Sequence, residues 1–446
     1  MKGARRPRPA SPRTFLSPVP WAGHRCGYVS GVAVQIQPSV GQSLLWFLDR
    51  YRGEEGALNC PTLCRIRGPL DTARLYRAVA DVMTRHEALR TTFAGGGRRL
   101  RALVAEDVSP LVHEVDLSGA PDPQAAVREA VTAELGTRID PTQNGVRLTL
   151  WRLAADEHVL CFNMHHMITD AWSCRVILQD LCAALDRPED EPAPAAARPY
   201  SAFAADQRQA LASDAGKRLT AFWSRQLRDL TLPPLPMSPA TPRAERDTDL
   251  VQHTLDAGTV AALDAVARSE RSTLFVGLLT AYYRALQQVS GSNDLAVATL
   301  FANRAPDYRD TVGFLANMVL LRTRLQHGAD FAADLRATHT TVMDAFVNQA
   351  LPLQMLPLTL KDASRRLDDV VFQMMPDPVY NTRAGGLDIE VLVPDDVATR
   401  FELELVAVPA GDTVRILLFY NPDRFSPEFV RELLAAYVEI CTASAG

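Results

Sequence analysis

No long basic block, no apolar leader and no continuous apolar run of membrane length occurs in these 446 residues. The net charge is −5 and the main arginine concentration, MKGARRPRPASPRTF, is confined to the N-terminus, so the footprint of a nucleic-acid binder is missing. That stretch has no apolar core either, which excludes a signal peptide or a spanning helix. It reads as a disordered tail over residues 1–34. Seven cysteines, an odd number, are scattered, and Cys161, Cys174 and Cys182 sit in apolar runs. They read as reduced, buried thiols of a cytoplasmic protein. Cys60 and Cys64 have no second pair to complete a zinc site. Gly95-Gly96-Gly97 is followed by no Lys-Ser/Thr, so it is a hairpin turn and not a phosphate loop. Neither a GxSxG elbow nor a Cys-His pair offers a nucleophile.

What is present is a large apolar share, 47% against 22% charged, enough for one large or two medium domains. The stretch around which the chain is organised is His158–Leu185. Alternating Val146, Leu148 and Leu150, a polar turn at Asp156-Glu157 and the run Val159–Met164 predict a hairpin ending in a buried strand. Trp172, Val176, Ile177, Leu181 and Leu185 then recur at helical spacing. His165-His166 and Asp170 therefore sit where a strand hands over to a helix, rigidly held and reachable. Adjacent residues of a strand face opposite ways, so one histidine can look into a cavity while the other packs. Packing is the reading for His165. Histidine suits general-base work, since its ordinary pKa near 6.5 leaves it mostly neutral at about pH 7. The residues alone leave core histidines, a metal site and a relic of lost activity open, metal being weakest because adjacent histidines rarely share one ion.

HHMITDAWS resembles the HHxxxDG motif of the condensation domains of nonribosomal peptide synthetases, within the acyltransferase superfamily related to chloramphenicol acetyltransferase. Other segments agree in order. Ser39-Val40-Gly41-Gln42 before a helix with Leu44, Leu45, Phe47 and Leu48 inward resembles the first family motif. Arg85-His86-Glu87-Ala88-Leu89-Arg90-Thr91-Thr92-Phe93, after a helix capped by Asp71, matches the second. Tyr200-Ser201-Ala202-Phe203 resembles the fourth, although Ala205-Asp206 replaces its usual tryptophan. Ala302-Asn303-Arg304 and Val312–Asn317, with the spacing to Arg322, match the fifth; Asn348–Leu353 is a weaker echo of the sixth without its histidine. Strands at Asp369–Met375, Phe401–Leu405 and Leu418–Phe425 and a helix from Pro427 to Cys441 complete the pattern.

The resemblance implies an α/β (α+β) fold of two chloramphenicol acetyltransferase-like lobes in a V, with an active-site tunnel between them. The proline-rich Arg187–Pro199 would divide residues 35–198 from residues 199–446. It also implies transfer of an acyl or aminoacyl group from the phosphopantetheine arm of an acyl- or peptidyl-carrier protein to an amine, with no bound cofactor and no metal. His166 would take or orient the amine's proton, and the backbone N–H near Ala171 would face the oxyanion. Ala171 stands where the family has glycine, a mild change if its φ is ordinary. Ser173 is either a hydroxyl donor to substrate or a helix cap; Asn317 is either substrate-binding or structural. Asp170 is expected to fix the loop, and as a buried carboxylate it needs a cation, for which Arg85, Arg90 and Arg322 are the candidates.

No carrier-attachment segment or adenylation-type loop is found, so a free-standing, cytoplasmic, monomeric condensation enzyme is expected. Ester formation or an acyl-CoA donor is the alternative within the superfamily, and an epimerase a poorer fit. A degenerate module that recruits a partner is the non-enzyme alternative, against which the presence of His166 argues.

Overall fold

The computed structural model describes residues 34–444 except 53–57, 97–98, 107–109, 239–247, 357–364, 376–380, 393–398 and 400. Residues 1–33 of the expected tail and Gly97 of the expected turn lie outside the described residues.

In chain order the first half runs β1 (Val34–Ile36), α1 (Val40–Arg52), β2 (Asn59–Arg67), α2 (Thr72–Arg85), β3 (Thr91–Ala94), β4 (Arg101–Val104), β5 (Val112–Asp116), α3 (Pro123–Gly136), β6 (Val146–Ala154), β7 (Glu157–His165) and α4 (Ala171–Asp186). The second runs α5 (Tyr200–Ala212), α6 (Asp214–Gln226), β8 (Asp249–Leu255), α7 (Ala257–Ser269), α8 (Leu274–Ser290), β9 (Asp294–Phe301), β10 (Asn317–Arg324), α9 (Phe331–Val347), β11 (Val370–Met374), β12 (Asn381–Ala384), β13 (Leu387–Leu392), β14 (Leu403–Ala410), β15 (Thr413–Tyr420) and α10 (Pro427–Ala443).

The expected hairpin is β6–β7, antiparallel from Val146 opposite Met164. Strand period two and burial on both faces explain why the middle of β7, Val159–Phe162, is continuously apolar. Leu160, Phe162 and Met164 enter one core, Val159 and Cys161 the core on the other face. Around it lies a six-stranded sheet in the order β12-β13-β2-β7-β6-β5. A second six-stranded sheet, β10-β9-β11-β14-β15-β8, carries the other large core with α8 and α10. A small sheet, β1-β4-β3, flanks the first.

The predicted division at 198/199 separates the chain but not the packing. Tyr200, Phe203 and Ala204 of α5, and Ala384, Leu387 and Ile389 of β12–β13, belong to the first core. β13 pairs antiparallel with β2, Ile389 opposite Ile66, so the second half supplies an edge of the first sheet. The connection between β9 and β10 also leaves its own sheet and buries Tyr308, Val312 and Leu315 in the first core.

Helix α2 forms as its stripe predicts. Asp71 caps it by accepting from the Ala73 and Arg74 amides, and Leu75, Val79, Val82 and Met83 are buried. Helix α1 differs from expectation. Leu45 and Trp46 are buried while Phe47 is 52% exposed. Its inward positions 42, 45, 46 and 49 follow the helical repeat, and two of them, Gln42 and Asp49, are polar because they hold the histidine loop.

Candidate active site

Loop 165–170 is fixed first through its main chain. The His165 N–H donates to Gly145 O and the His166 N–H to Leu58 O, both at 2.8 Å, so β-pairing continues to the second histidine. Gln42 Nε2 donates to Met167 O at 2.9 Å. His165 packs, as strand alternation predicts: it is 1% exposed, its Nδ1 accepts the Met167 amide at 3.1 Å and its Nε2 faces Asp49 at 3.4 Å. Burial works to raise the Asp49 carboxyl, but hydrogen bonds from His165 and Arg138 prevail and hold it below its ordinary 3.8.

His166 is half-buried on the other side. Its Nδ1 lies 2.9 Å from the Thr169 carbonyl, an acceptor only, so in the neutral ring the proton sits on Nδ1 and Nε2 is the basic nitrogen. The Phe314 ring meets it edge to face, with centroids 5.5 Å apart at 82°.

Asp170 is 1% exposed and receives a donor on every side. Its Oδ1 accepts from the Ser173 amide and hydroxyl at 2.8 Å and from Arg304 Nη2 at 2.7 Å; its Oδ2 accepts the amides of Leu315 and Ala316 at 3.0 Å. It is the N-cap of α4 and also a clasp across the two halves. The cation is Arg304, itself 4% exposed at the side chain, and not the three arginines expected. Arg85 instead pairs with Asp180 at 2.9 Å, Arg90 donates to Ala105 O, and Arg322 pairs with Asp294 while binding the Gln226 and Arg228 carbonyls. Those three are committed elsewhere in the fold, whereas Arg304 rides the β9–β10 connection over the loop. The expected motif Ala302-Asn303-Arg304 contains it, and the match of that segment to the fifth motif is the signal the sequence offers.

Ser173 is 0% exposed and committed to this clasp. Its single proton is shared between Asp170 and the Gly313 carbonyl at 2.8 Å, and it accepts from the Gly313 amide at 3.0 Å and Arg304 at 2.8 Å. The substrate-donor reading of Ser173 is corrected accordingly: a hydroxyl buried among four partners has no face toward a ligand. Asn317 takes the structural reading, its Nδ2 donating to the Gln349 and Leu351 carbonyls. Ala171 opens α4 with a negative φ, so alanine costs the backbone nothing there.

The other motifs converge on the same place. Ser39 and Gln42 bond each other's amides at 3.0 Å, and the Ser39 hydroxyl meets Tyr200 Oη at 2.7 Å. Tyr200 in turn donates to the Phe314 carbonyl at 2.8 Å. Glu87 accepts the Ser201 amide and hydroxyl at 2.7 Å, joining the second motif to the fourth. Gly313 is required by approach: a Cβ there would lie 2.0 Å from the Tyr200 ring. Asp206, where the chain departs from the fourth motif, accepts from Tyr308 and from Arg198 at 3.1 Å and so helps pin the β9–β10 connection.

Between α1 and this connection opens a crevice of about 90 Å³, lined by Leu44, Leu48, Leu300, Phe314, Met318 and Leu353 among others. Among the described residues no cluster of histidine, cysteine and carboxylate is arranged to hold a metal, and no helix is long and apolar enough to cross a membrane.

Paired sheets with a histidine loop at their junction define the chloramphenicol acetyltransferase-like class. Within it, the chain belongs to the condensation domain family, whose model matches residues 35–445. It is 29% identical over 435 residues, 93% of the chain, to a linear gramicidin synthase of Brevibacillus parabrevis. It is likewise 29% identical over 416 residues, 89% of the chain, to phosphinothricin tripeptide synthetase PhsC of Streptomyces viridochromogenes. The chain spans only 8% and 38% of those two proteins. Among solved structures, the first condensation domain of the CDA synthetase has the same fold, with a TM-score of 0.78 at 18% identity over 92% of this chain and 96% of that one. The SgcC5 protein of Streptomyces globisporus superposes with a TM-score of 0.75 at 23% identity, covering 92% and 98%.

Proposed function

We propose that the chain transfers an acyl or aminoacyl group from a carrier protein's phosphopantetheine thioester to an amine, forming an amide. The observation that carries this reading is the fixed histidine: His166 has Nδ1 locked on the Thr169 carbonyl, next to a buried Asp170 clasp, at the junction of the two halves. The thioester is already activated, so the protein needs no nucleophile of its own. An amine with a solution pKa near 10 arrives mostly protonated and has to lose a proton to react. Once the ammonium proton has gone to solvent, the neutral nitrogen attacks the carbonyl carbon, the proton it then sheds passes to His166 Nε2, the C–S bond breaks, and the pantetheine thiolate leaves and is reprotonated from the histidine. The first amides of α4, at Ala171 and Trp172, have no acceptor within the helix and are the candidates to meet the oxyanion. Asp170 takes no part in proton transfer; it holds the loop. This chemistry is the same whether the carrier is tethered or delivered by another protein, and the reading expects a cytoplasmic monomer that meets its carrier transiently.

The test is intact-protein mass spectrometry of a holo carrier protein bearing a panel of acyl groups, with amines and alcohols as acceptors, for the natural chain and His166→Ala. Acyl loss with a new amide, slowed roughly 10²–10⁴-fold in the folded variant, is the expected result. An ester product or a CoA donor would move the reading to the superfamily alternative. Transfer unaffected by His166→Ala would remove the base, and carrier binding without turnover would favour a recruitment module.

A further inference from the structure

Phe314 stands where the crevice and the histidine meet. Its half-buried ring lines the crevice, whereas His166, 5.5 Å from it between centroids, is not among the lining residues. The ring also fills a notch in α1: a Cβ built on Gly41, which lines the crevice as well, would come within 2.8 Å of both Cδ1 and Cε1 of Phe314. Gly41 lies inside a regular helix and has no positive φ, so its missing side chain serves packing and not backbone conformation. The main chain under the ring is pinned. Tyr200 donates to the Phe314 carbonyl at 2.8 Å, and the next two amides donate to Asp170 at 3.0 Å. A fixed backbone carrying a ring between an open space and a base is the arrangement that turns one side chain into a boundary.

We propose that Phe314, seated against Gly41, is a specificity-determining partition between the crevice and His166. From the crevice side it passes slim, unbranched aliphatic groups of a substrate to the histidine and holds back aryl groups. The apolar side chains of Leu44, Leu48, Leu300 and Met318, which line the crevice beside the Arg366–Asp368 pair, set the chemistry of the group that is sorted. This inference deepens the proposed acyl transfer and rests on it for its meaning in catalysis, but access to the histidine is measurable without turnover.

The experiment uses two bromomethyl ketones, one with a butyl and one with a naphthyl substituent, as probes of the full chain. In each, His166 Nε2 displaces bromide, forming a C–N bond that peptide mass spectrometry reads at that residue. In the natural chain the butyl ketone is expected to label His166 and the naphthyl ketone to lag. Phe314→Ala should raise the naphthyl-to-butyl ratio roughly tenfold, within the range a pocket gains or loses by a change of side-chain bulk. Phe314→Leu, which keeps an apolar side chain in the notch, should fall between, and circular dichroism checks that each variant is folded. An unchanged ratio in both variants, equal labelling by both ketones in the natural chain, or no labelling of His166 in any of them overturns the partition. Because the readout is labelling, its failure is distinguishable from failure of acyl transfer in the carrier assay. Where transfer is observed, the same variants should raise the ratio of kcat/KM for aryl over butyl substrates.

Discussion

The two sheets carry the same local device with different outcomes. β6–β7 is an antiparallel hairpin leading through a loop into α4, and β14–β15 is an antiparallel hairpin leading through a loop into α10. Both helices are capped by a side chain, Asp170 in the first and Ser426 in the second. The second loop bonds within its own half: Asn421 donates to Glu402 through its amide at 3.0 Å and its side chain at 2.8 Å, and Arg424 O accepts the Ser238 amide. The first loop instead takes donors from Gln42 on one side and from Arg304, Leu315 and Ala316 across the junction. A strand–loop–helix junction is therefore only a mount. The chemistry-bearing loop is the one that the other half reaches over to hold.

That contrast can be broken by removing the two caps in turn. Asp170→Ala leaves Arg304 buried without its carboxylate and should cost about 3–5 kcal/mol, against about 1 kcal/mol for Ser426→Ala. Urea denaturation of both variants checks it; equal losses would mean that the cross-half clasp adds nothing to an ordinary cap. Asp170→Asn keeps a capping oxygen but not the charge, and should fall between the two. Next in size is Gly313→Ala, whose methyl would drive into the Tyr200 ring; a loss of roughly 2–3 kcal/mol is expected from overpacking. Gly291, the left-handed cap of α8, has open space around it, and Gly291→Ala should cost only about 1 kcal/mol. Gly41→Ala is smaller again than Gly313→Ala, about 1–2 kcal/mol, because a ring end can give way, and adding Phe314→Leu should recover most of it.

Much of the mount is legible in the sequence. The hairpin, the helix capped by Asp71 and the strand-to-helix position of His166 all follow from spacing and from capping residues, which act locally. The packed state of His165 follows in the same way from strand alternation. What spacing does not carry is what lies across the gap. Arg304 stands out in the sequence only as one member of a motif and not as the partner of Asp170, because a contact 134 positions away in the chain leaves no periodic trace. Phe47 looks internal because it is apolar, whereas helix geometry puts Gln42 and Asp49 on the inner face; the helix gives up apolar burial to hold the loop. Ser173 similarly looks like a free hydroxyl until Gly313 and Arg304 close over it.

An effect as small as that of the Ser426 cap tests the remaining polar support of the loop. Asp49 is held below its ordinary 3.8 by hydrogen bonds from His165 and Arg138 that outweigh its burial. A carboxyl depressed in the folded state contributes stability that is fully present above its unfolded value and is lost as pH falls through the folded one. The stability difference between the natural chain and Asp49→Asn should then be about 1 kcal/mol at pH 7 and shrink below about pH 4. Ser426 has no ionisable group in its cap, so the cost of Ser426→Ala should be level across the same range. Denaturation at pH 7 and at pH 3.5 on both variants separates the two loops by their pH dependence. A pH-independent Asp49→Asn cost would show that Asp49 supports His165 through packing alone, and that the charge on the inner face of α1 does not help to hold the first loop.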